Sequence, residues 1–245
     1  ALGAGAVKAG GTSANVGRLG ADGTLADGAR VWGALVPHLE ELTPRQLALS
    51  AWSLARLGVG GCNVAASALE PNGRLAERLM ERHRDLDTQA LSMVLWAFAT
   101  SRSENTGLAK ALADRASTRL IDASPQAVAN LPWACATLRL KHAPLAEAAR
   151  ERITSGPVSE FQPQALANLA WAWAVCPATQ REAGHAFGVI ADDMVRRLGE
   201  FRPQEVAASA WAFAMCAAAC PKTQLALRAT AAPALALAGR GAGGR

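Results

Sequence analysis

Apolar residues recur along this chain at helical spacing in five blocks, and each block repeats the others. The clearest runs Phe161-Gln-Pro-Gln-Ala-Leu-Ala-Asn-Leu-Ala-Trp-Ala-Trp-Ala174 and returns as Phe201-Arg-Pro-Gln-Glu-Val-Ala-Ala-Ser-Ala-Trp-Ala-Phe-Ala214. Looser copies begin at Ala123, Leu86 and Leu42. Trp52, Trp96, Trp133, Trp171 and Trp211 anchor the copies at intervals of 44, 37, 38 and 40 residues. Self-similarity at such a period marks a repeat array. Each unit predicts a first helix, A, opened by Pro-Gln or its equivalent, and a second, B, ending before the next block. B helices are expected near 73–84, 106–121, 144–154 and 180–198, with a last one near 222–238. Val31, Trp32, Leu35, Val36 and Leu39 give residues 25–41 an apolar helical face, the second helix of an incomplete preceding unit. Thr43 and Ser124 can cap the helices opened by Pro44 and Pro125, and Asp87 the one opened by Thr88. The pattern therefore predicts an all-α fold, a right-handed α-solenoid of about five helix-turn-helix repeats of 37–44 residues over 25–238.

Counting from the proline slot (Pro44, Thr88, Pro125, Pro163, Pro203) shows how an A helix is used. Position +4 is Ala48, Ser92, Ala129, Ala167 and Ala207, and position +11 is alanine throughout, so this face admits a close neighbour. Positions +3, +6 and +10 supply bulk, as in Leu166, Leu169 and Trp173. The +8 tryptophan borders the small face and is expected to pack between units, where its area would dominate. Positions +1, +2, +5, +9 and +12 are left for the surface.

Composition changes this picture little. The chain is 51% hydrophobic but only 5% aromatic, without tyrosine, and alanine suits packed helices. No run of about 18 apolar residues predicts a membrane span. The net charge of +5 permits a polyanionic partner, carried by 21 Arg against 4 Lys. Cys62, Cys135, Cys176, Cys216 and Cys220 form no CxxC pair and no zinc spacing with the histidines, so no metal or other cofactor is expected and a reducing compartment fits. The chain holds no P-loop, GxSxG or HExxH, and Asp192-Asp193 and Glu40-Glu41 read as solvated helix surface, so no enzyme is expected.

Two sets of residues are candidates for contact with a polyanion. On the B helices, Arg78, Arg82, Arg115, Arg119, Arg152 and Arg197 would line up as a basic stripe able to follow phosphates. The same arginines could instead pair with Glu77, Glu81, Asp114, Glu147 and Glu151 on a solvated face. On the A helices, position +1 is Arg45 and then Gln89, Gln126, Gln164 and Gln204. A residue repeated in every unit cannot encode a different base per unit, so these glutamines are expected to bond backbone near the helix start. Positions +5 (Asn130, Asn168) and +12 (Arg56, Thr100, Thr137) vary as readout positions should.

The unit Phe-x-Pro-Gln-x-Leu-Ala-Asn-x-x-Trp-Ala-x-Ala resembles the octotricopeptide repeat (OPR) of algal and protist organelle proteins, and is similar to the helical repeats of FAST-kinase-type RNA-binding proteins. The resemblance covers about 42–220; of the proline- and tryptophan-containing start of many algal B helices only Pro144-Leu145 is present, and no RAP-type domain is expected after the array. It implies an α-solenoid that holds single-stranded RNA or an rRNA segment in a plastid or mitochondrion and acts in organellar gene expression. The alternative it implies is a structural scaffold subunit making protein contacts within an organellar ribosome or photosynthetic complex. The Gly/Ala-rich arm at 1–24, acid-free before Asp22, suits the remainder of a transit peptide or a fragment boundary. With the Gly/Arg-rich tail at 239–245, it is the expected contact with other proteins of a larger assembly.

Overall fold

The structure, a computed structural model, describes residues 29–58, 64–176 and 183–216. All regular elements among the described residues are helical, with no strand. In chain order they are α1 (29–35), α2 (Pro44–Gly58), α3 (Val64–Leu69), α4 (Arg74–Arg82), α5 (Thr88–Ser101), α6 (Thr106–Ser117), α7 (Pro125–Thr137), α8 (Ala143–Ser155), α9 (Pro163–Val175), α10 (Gly184–Arg196) and α11 (Pro203–Cys216). The A helices are α2, α5, α7, α9 and α11. The B helices are α4, α6, α8 and α10, with α3 set off from α4 by the turn holding Pro71 and Gly73. The helix expected near 222–238, the arm at 1–24, the tail at 239–245, Cys62 and Cys220 lie outside the described residues.

Helix starts follow the local chemistry. Asp87 accepts a bond from the Ala90 amide at 2.7 Å, and Ser124 one from Ala127 at 3.4 Å. Thr43 and Gln46 form a reciprocal capping box, the hydroxyl accepting from Gln46 N–H at 3.3 Å and the Gln46 carbonyl oxygen from Thr43 N–H at 2.9 Å. Short 3-10 turns (Val36–His38, His83–Asp85, Leu120–Asp122, Val158–Glu160 and Leu198–Glu200) lead the chain into each A helix.

Each A helix packs on the next, α2 on α5, α5 on α7, α7 on α9 and α9 on α11. Likewise α4 packs on α6, α6 on α8 and α8 on α10, and α2, α5, α7 and α9 each pack on the B helix of their own unit. Between the two layers lie the +3 and +10 side chains, among them Leu91, Phe98, Leu166, Trp173 and Phe213, all buried. At 100° per residue, positions +4 and +11 share one flank of an A helix and +2 and +9 the other. Both flanks are small and buried in the middle units: Ala129 and Ala99 on one side, Ala90, Ala97, Ala127, Ala134, Ala165 and Ala172 on the other. The end helices show which flank faces which neighbour. In α2, Ala48 and Ala55 are buried while Gln46 and Ser53, polar residues in the alanine slots, stay accessible. In α11 the order reverses, with Ala212 buried and Ala207 and Ala214 exposed. Flank +4/+11 therefore meets the following A helix and flank +2/+9 the preceding one.

The expectation that the +8 tryptophans pack between units holds in part: Trp52 and Trp96, in successive units, lie with ring centroids 6.1 Å apart, and Trp96 and Trp133 pack against the core. Their burial is incomplete, since four of the five are half-buried and Trp211 is exposed. Positions +2 and +9, expected at the surface, are buried instead in the A helices that have a preceding neighbour, apart from the half-buried Glu205 of α11.

Between the B helices α6 and α8, His142 joins the two. Its Nδ1 accepts from the Leu145 amide at 3.1 Å as the α8 cap, which leaves the proton on Nε2 to donate to Asp114 at 2.8 Å. That hydrogen bond, helped by Lys110, holds the Asp114 carboxyl below its ordinary 3.8. A carboxyl with a depressed folded pKa contributes stability above its unfolded value, so this contribution disappears as pH falls below about 3.8. His142→Ala should lose about 1–2 kcal/mol, cap and bond together, in urea unfolding at neutral pH, and His142→Asn should lose less because it can still cap.

Candidate functional site

With both flanks and the inner face of an A helix covered, one arc remains. It holds positions +1, +5, +8 and +12, which fall within about 60° of one another at 100° per residue. All residues of these four slots are exposed or half-buried in every A helix. Gln89, Gln126 and Gln204 are exposed, and Gln164 is half-buried. Beside them lie Leu49, Met93, Asn130, Asn168 and Ala208, then the tryptophans, then Arg56, Thr100, Thr137, Val175 and Met215. Packing the A helices in order sets these slots side by side from unit to unit.

Most of the A-helix residues singled out from the sequence therefore share a surface. Arg45 is exposed, and Arg56 lies with its guanidinium 5.2 Å from the centre of the Trp52 ring. Gln126 Nε2 donates to Asn130 Oδ1 at 2.9 Å, and Thr137 returns its hydroxyl to the Trp133 carbonyl at 2.9 Å. The glutamines were expected to bond backbone near the helix start. The structure corrects this: Gln89, Gln164 and Gln204 make no hydrogen bond among the described residues, and Gln126 bonds only Asn130. Their repetition has no packing reason in the helix start itself.

The B-helix arginines have other work. Arg78 donates from Nη2 to the Glu40 carbonyl at 3.0 Å and pairs with Glu81 at 2.6 Å and the Glu40 carboxylate at 3.3 Å. Arg115 donates to the Arg84 carbonyl at 3.0 Å. Arg197 donates to the Phe161 carbonyl at 3.0 Å while binding Asp193 and Glu200. In these three units an arginine of the B helix reaches back 38, 31 and 36 residues to the linker that leads into its own A helix. It clasps the pair shut. Arg152 binds Glu160 at 2.9 Å and lies over the Phe161 ring at 5.6 Å; Gly156 leaves it room, since a Cβ there would strike Arg152 Nη1. Arg82 pairs with Asp85 at 2.8 Å. Arg119 is exposed and has no ion pair among the described residues. The acids do pair with neighbouring cations, Asp114 with Lys110 and Glu147 with Arg150, as a solvated face would. Asp193 departs from its expected surface place: it is buried and held by Arg196 and Arg197.

Comparison with protein-family models and with curated protein sequences finds no match to this chain. The site therefore rests on its own chemistry.

That chemistry divides by layer. Helices α2, α5, α7 and α9 contain no Asp or Glu, and α11 contains only Glu205. The acids of the helical pairs lie instead on the B helices and linkers. Two further arginines belong to the A layer and were not singled out from the sequence. Arg102 and Arg139 follow α5 and α7 in the left-handed conformation, φ 55° and 56°. Their amides and those of Ser103 and Leu140 close the last turns on Ala99, Phe98, Ala136 and Cys135 carbonyls. Both are exposed, without an ion pair among the described residues. Their slot is legible in sequence only as Arg at +14 in two units.

Among the described residues no cluster of three or more His, Cys, Asp or Glu could hold a metal ion. Cys135 is buried, and burial pushes its thiol up to about 12, which makes it a packing residue rather than a nucleophile. No helix among the described residues is long and apolar enough to cross a membrane.

Proposed function

We propose that this chain is a right-handed α-solenoid that binds single-stranded RNA, an rRNA segment included, through the outward face of its A helices, as a non-catalytic factor of organellar gene expression. One observation carries it. The A layer presents Arg45 and Arg56 on helices nearly free of acid, and Arg102 and Arg139 just after α5 and α7, all four with no acidic partner among the described residues. On the B side Arg78, Arg82, Arg150, Arg152, Arg196 and Arg197 are paired with acids, while Arg74 and Arg119 have no ion pair among the described residues. A polyanion therefore meets uncompensated positive charge on the A side. The repeated slots support a periodic ligand, because each unit offers its +5 and +12 residues at the same place. The plastid or mitochondrial setting is supported by the resemblance of the repeat to the OPR family.

The test is fluorescence anisotropy with random-sequence single-stranded RNA over a salt series. Affinity should fall linearly on a log–log plot, with a slope near −0.7 for each phosphate neutralised. The double variant Arg45→Glu/Arg56→Glu should weaken binding at least about tenfold, roughly 1.4 kcal/mol, while Arg119→Glu changes it less. Absence of binding at low salt would remove the proposal.

A second reading, a protein-binding scaffold, is favoured by Leu49 and Met215. Both are apolar, lie on the same face and are 49% and 52% exposed.

A further inference from the structure

We infer that the five repeat tryptophans, Trp52, Trp96, Trp133, Trp171 and Trp211, are a base-stacking platform for single-stranded RNA. This deepens the RNA-binding reading above and rests on it. The tryptophans were expected to be consumed in packing, which would have left the chain without stacking surfaces. Instead all five remain accessible, from half-buried to 38% exposed at Trp211, whereas Trp173 two positions after Trp171 is 1% exposed. An indole that serves only the core is enclosed as Trp173 is. These five sit at one slot of one arc, in helices that pack in sequence, so they form a row across the A layer.

One ring of this row already accepts a planar cation. The exposed Arg56 lies over Trp52, its guanidinium carbon 5.2 Å from the ring centre. A nucleobase is planar and presents a π-face in the same way, and stacking on aromatic side chains tolerates any base. Trp52 and Trp96 lie with centroids 6.1 Å apart and planes inclined by 39°, so these two rings touch one another and a base covers the pair from outside. No hydrogen bond joins any of the five indole N–H groups to a partner among the described residues. The side chains flanking the middle rings include amides and hydroxyls, Asn130 and Thr137 beside Trp133, that can meet base edges.

Charge decides between nucleic acid and protein as the occupant. The row stands on helices that carry no acid except Glu205 in α11, beside the unpaired Arg45 and Arg56, a balance that suits a polyanion better than a protein surface. Adjacent A helices stand about 8–10 Å apart, so a strand lying across them must be extended, with its bases drawn from their own stack onto the indoles.

The experiment compares two probes of equal length, a short oligouridylate and an abasic ribose-phosphate oligomer, by intrinsic tryptophan fluorescence and by competition. Oligouridylate should quench the emission and bind at least about tenfold more tightly than the abasic oligomer. Trp133→Ala should weaken oligouridylate binding about tenfold and leave the abasic oligomer unchanged, and Trp133→Phe should stay within about threefold of the parent. Trp211→Ala, at the most exposed ring, repeats the comparison where folding is not at stake. Equal affinity for the two probes, or equal losses for both in Trp211→Ala, would overturn the platform and leave RNA binding through phosphates standing. Failure of both probes at low salt removes the RNA reading and the platform together. Self-association abolished by Trp211→Ala, without RNA binding, would overturn the platform and give the face to protein.

Discussion

Arg197→Met is expected to destabilise the protein by about 3–5 kcal/mol, the cost of taking its main counter-charge from a buried carboxylate that Arg196, largely exposed, reaches only at 3.5 Å. Asp193 is buried, and Arg197 binds it through Nε at 2.8 Å as well as through Nη2. The same guanidinium donates to the Phe161 carbonyl and so ties α10 to the linker before α9. Removing it opens both. The double variant Asp193→Leu/Arg197→Met should recover most of the loss, because an apolar pair of similar volume removes the stranded charge. Urea midpoints at neutral pH measure both variants. A loss below about 1 kcal/mol in the single variant would mean that Arg197 is a solvated surface residue, and the clasp would fail with it.

Phe187→Ala should cost about as much, roughly 3–5 kcal/mol, for a different reason. Phe187 is fully buried and stands edge-on to two rings, 6.0 Å from Trp173 and 6.5 Å from Phe213. It touches both rings and so joins α9, α10 and α11 in a single contact. Truncation leaves a cavity among rigid neighbours and removes both aromatic contacts. Phe187→Leu should recover more than half. The midpoint of thermal or urea unfolding reads this, and near-ultraviolet circular dichroism should show the loss of ring order. A change under about 1 kcal/mol would mean that the site collapses freely, contrary to its place between three helices.

Helix type, unit length and the identity of each slot were legible in the chain. The alanines at +4 and +11 announced a close helix contact, and Ala48, Ser92, Ala129 and Ala167 are buried as that required. Thr43, Asp87 and Ser124 cap the helices they were assigned to. Less of the site was legible. Arg78, Arg115 and Arg197 looked like a stripe because they recur in register along B helices. Their partners, 31 to 38 residues away, are main-chain carbonyls, and a carbonyl carries no signature in the sequence. The repeated glutamines were assigned to backbone, yet three of the four have no hydrogen-bond partner among the described residues.

The tryptophan at +8 marks the boundary between the two kinds of information. By itself the sequence determined that each unit places a tryptophan at one angle on its A helix, beside a small flank. Periodicity fixes such angles because a helix turns by 100° at every residue. It does not say which arcs neighbouring helices will cover, and a large apolar ring is assigned to the interior by default. The tertiary structure decided otherwise. With small residues lining both seams, Trp52, Trp96, Trp133 and Trp171 stand beside the seams half-buried, and Trp211 is exposed.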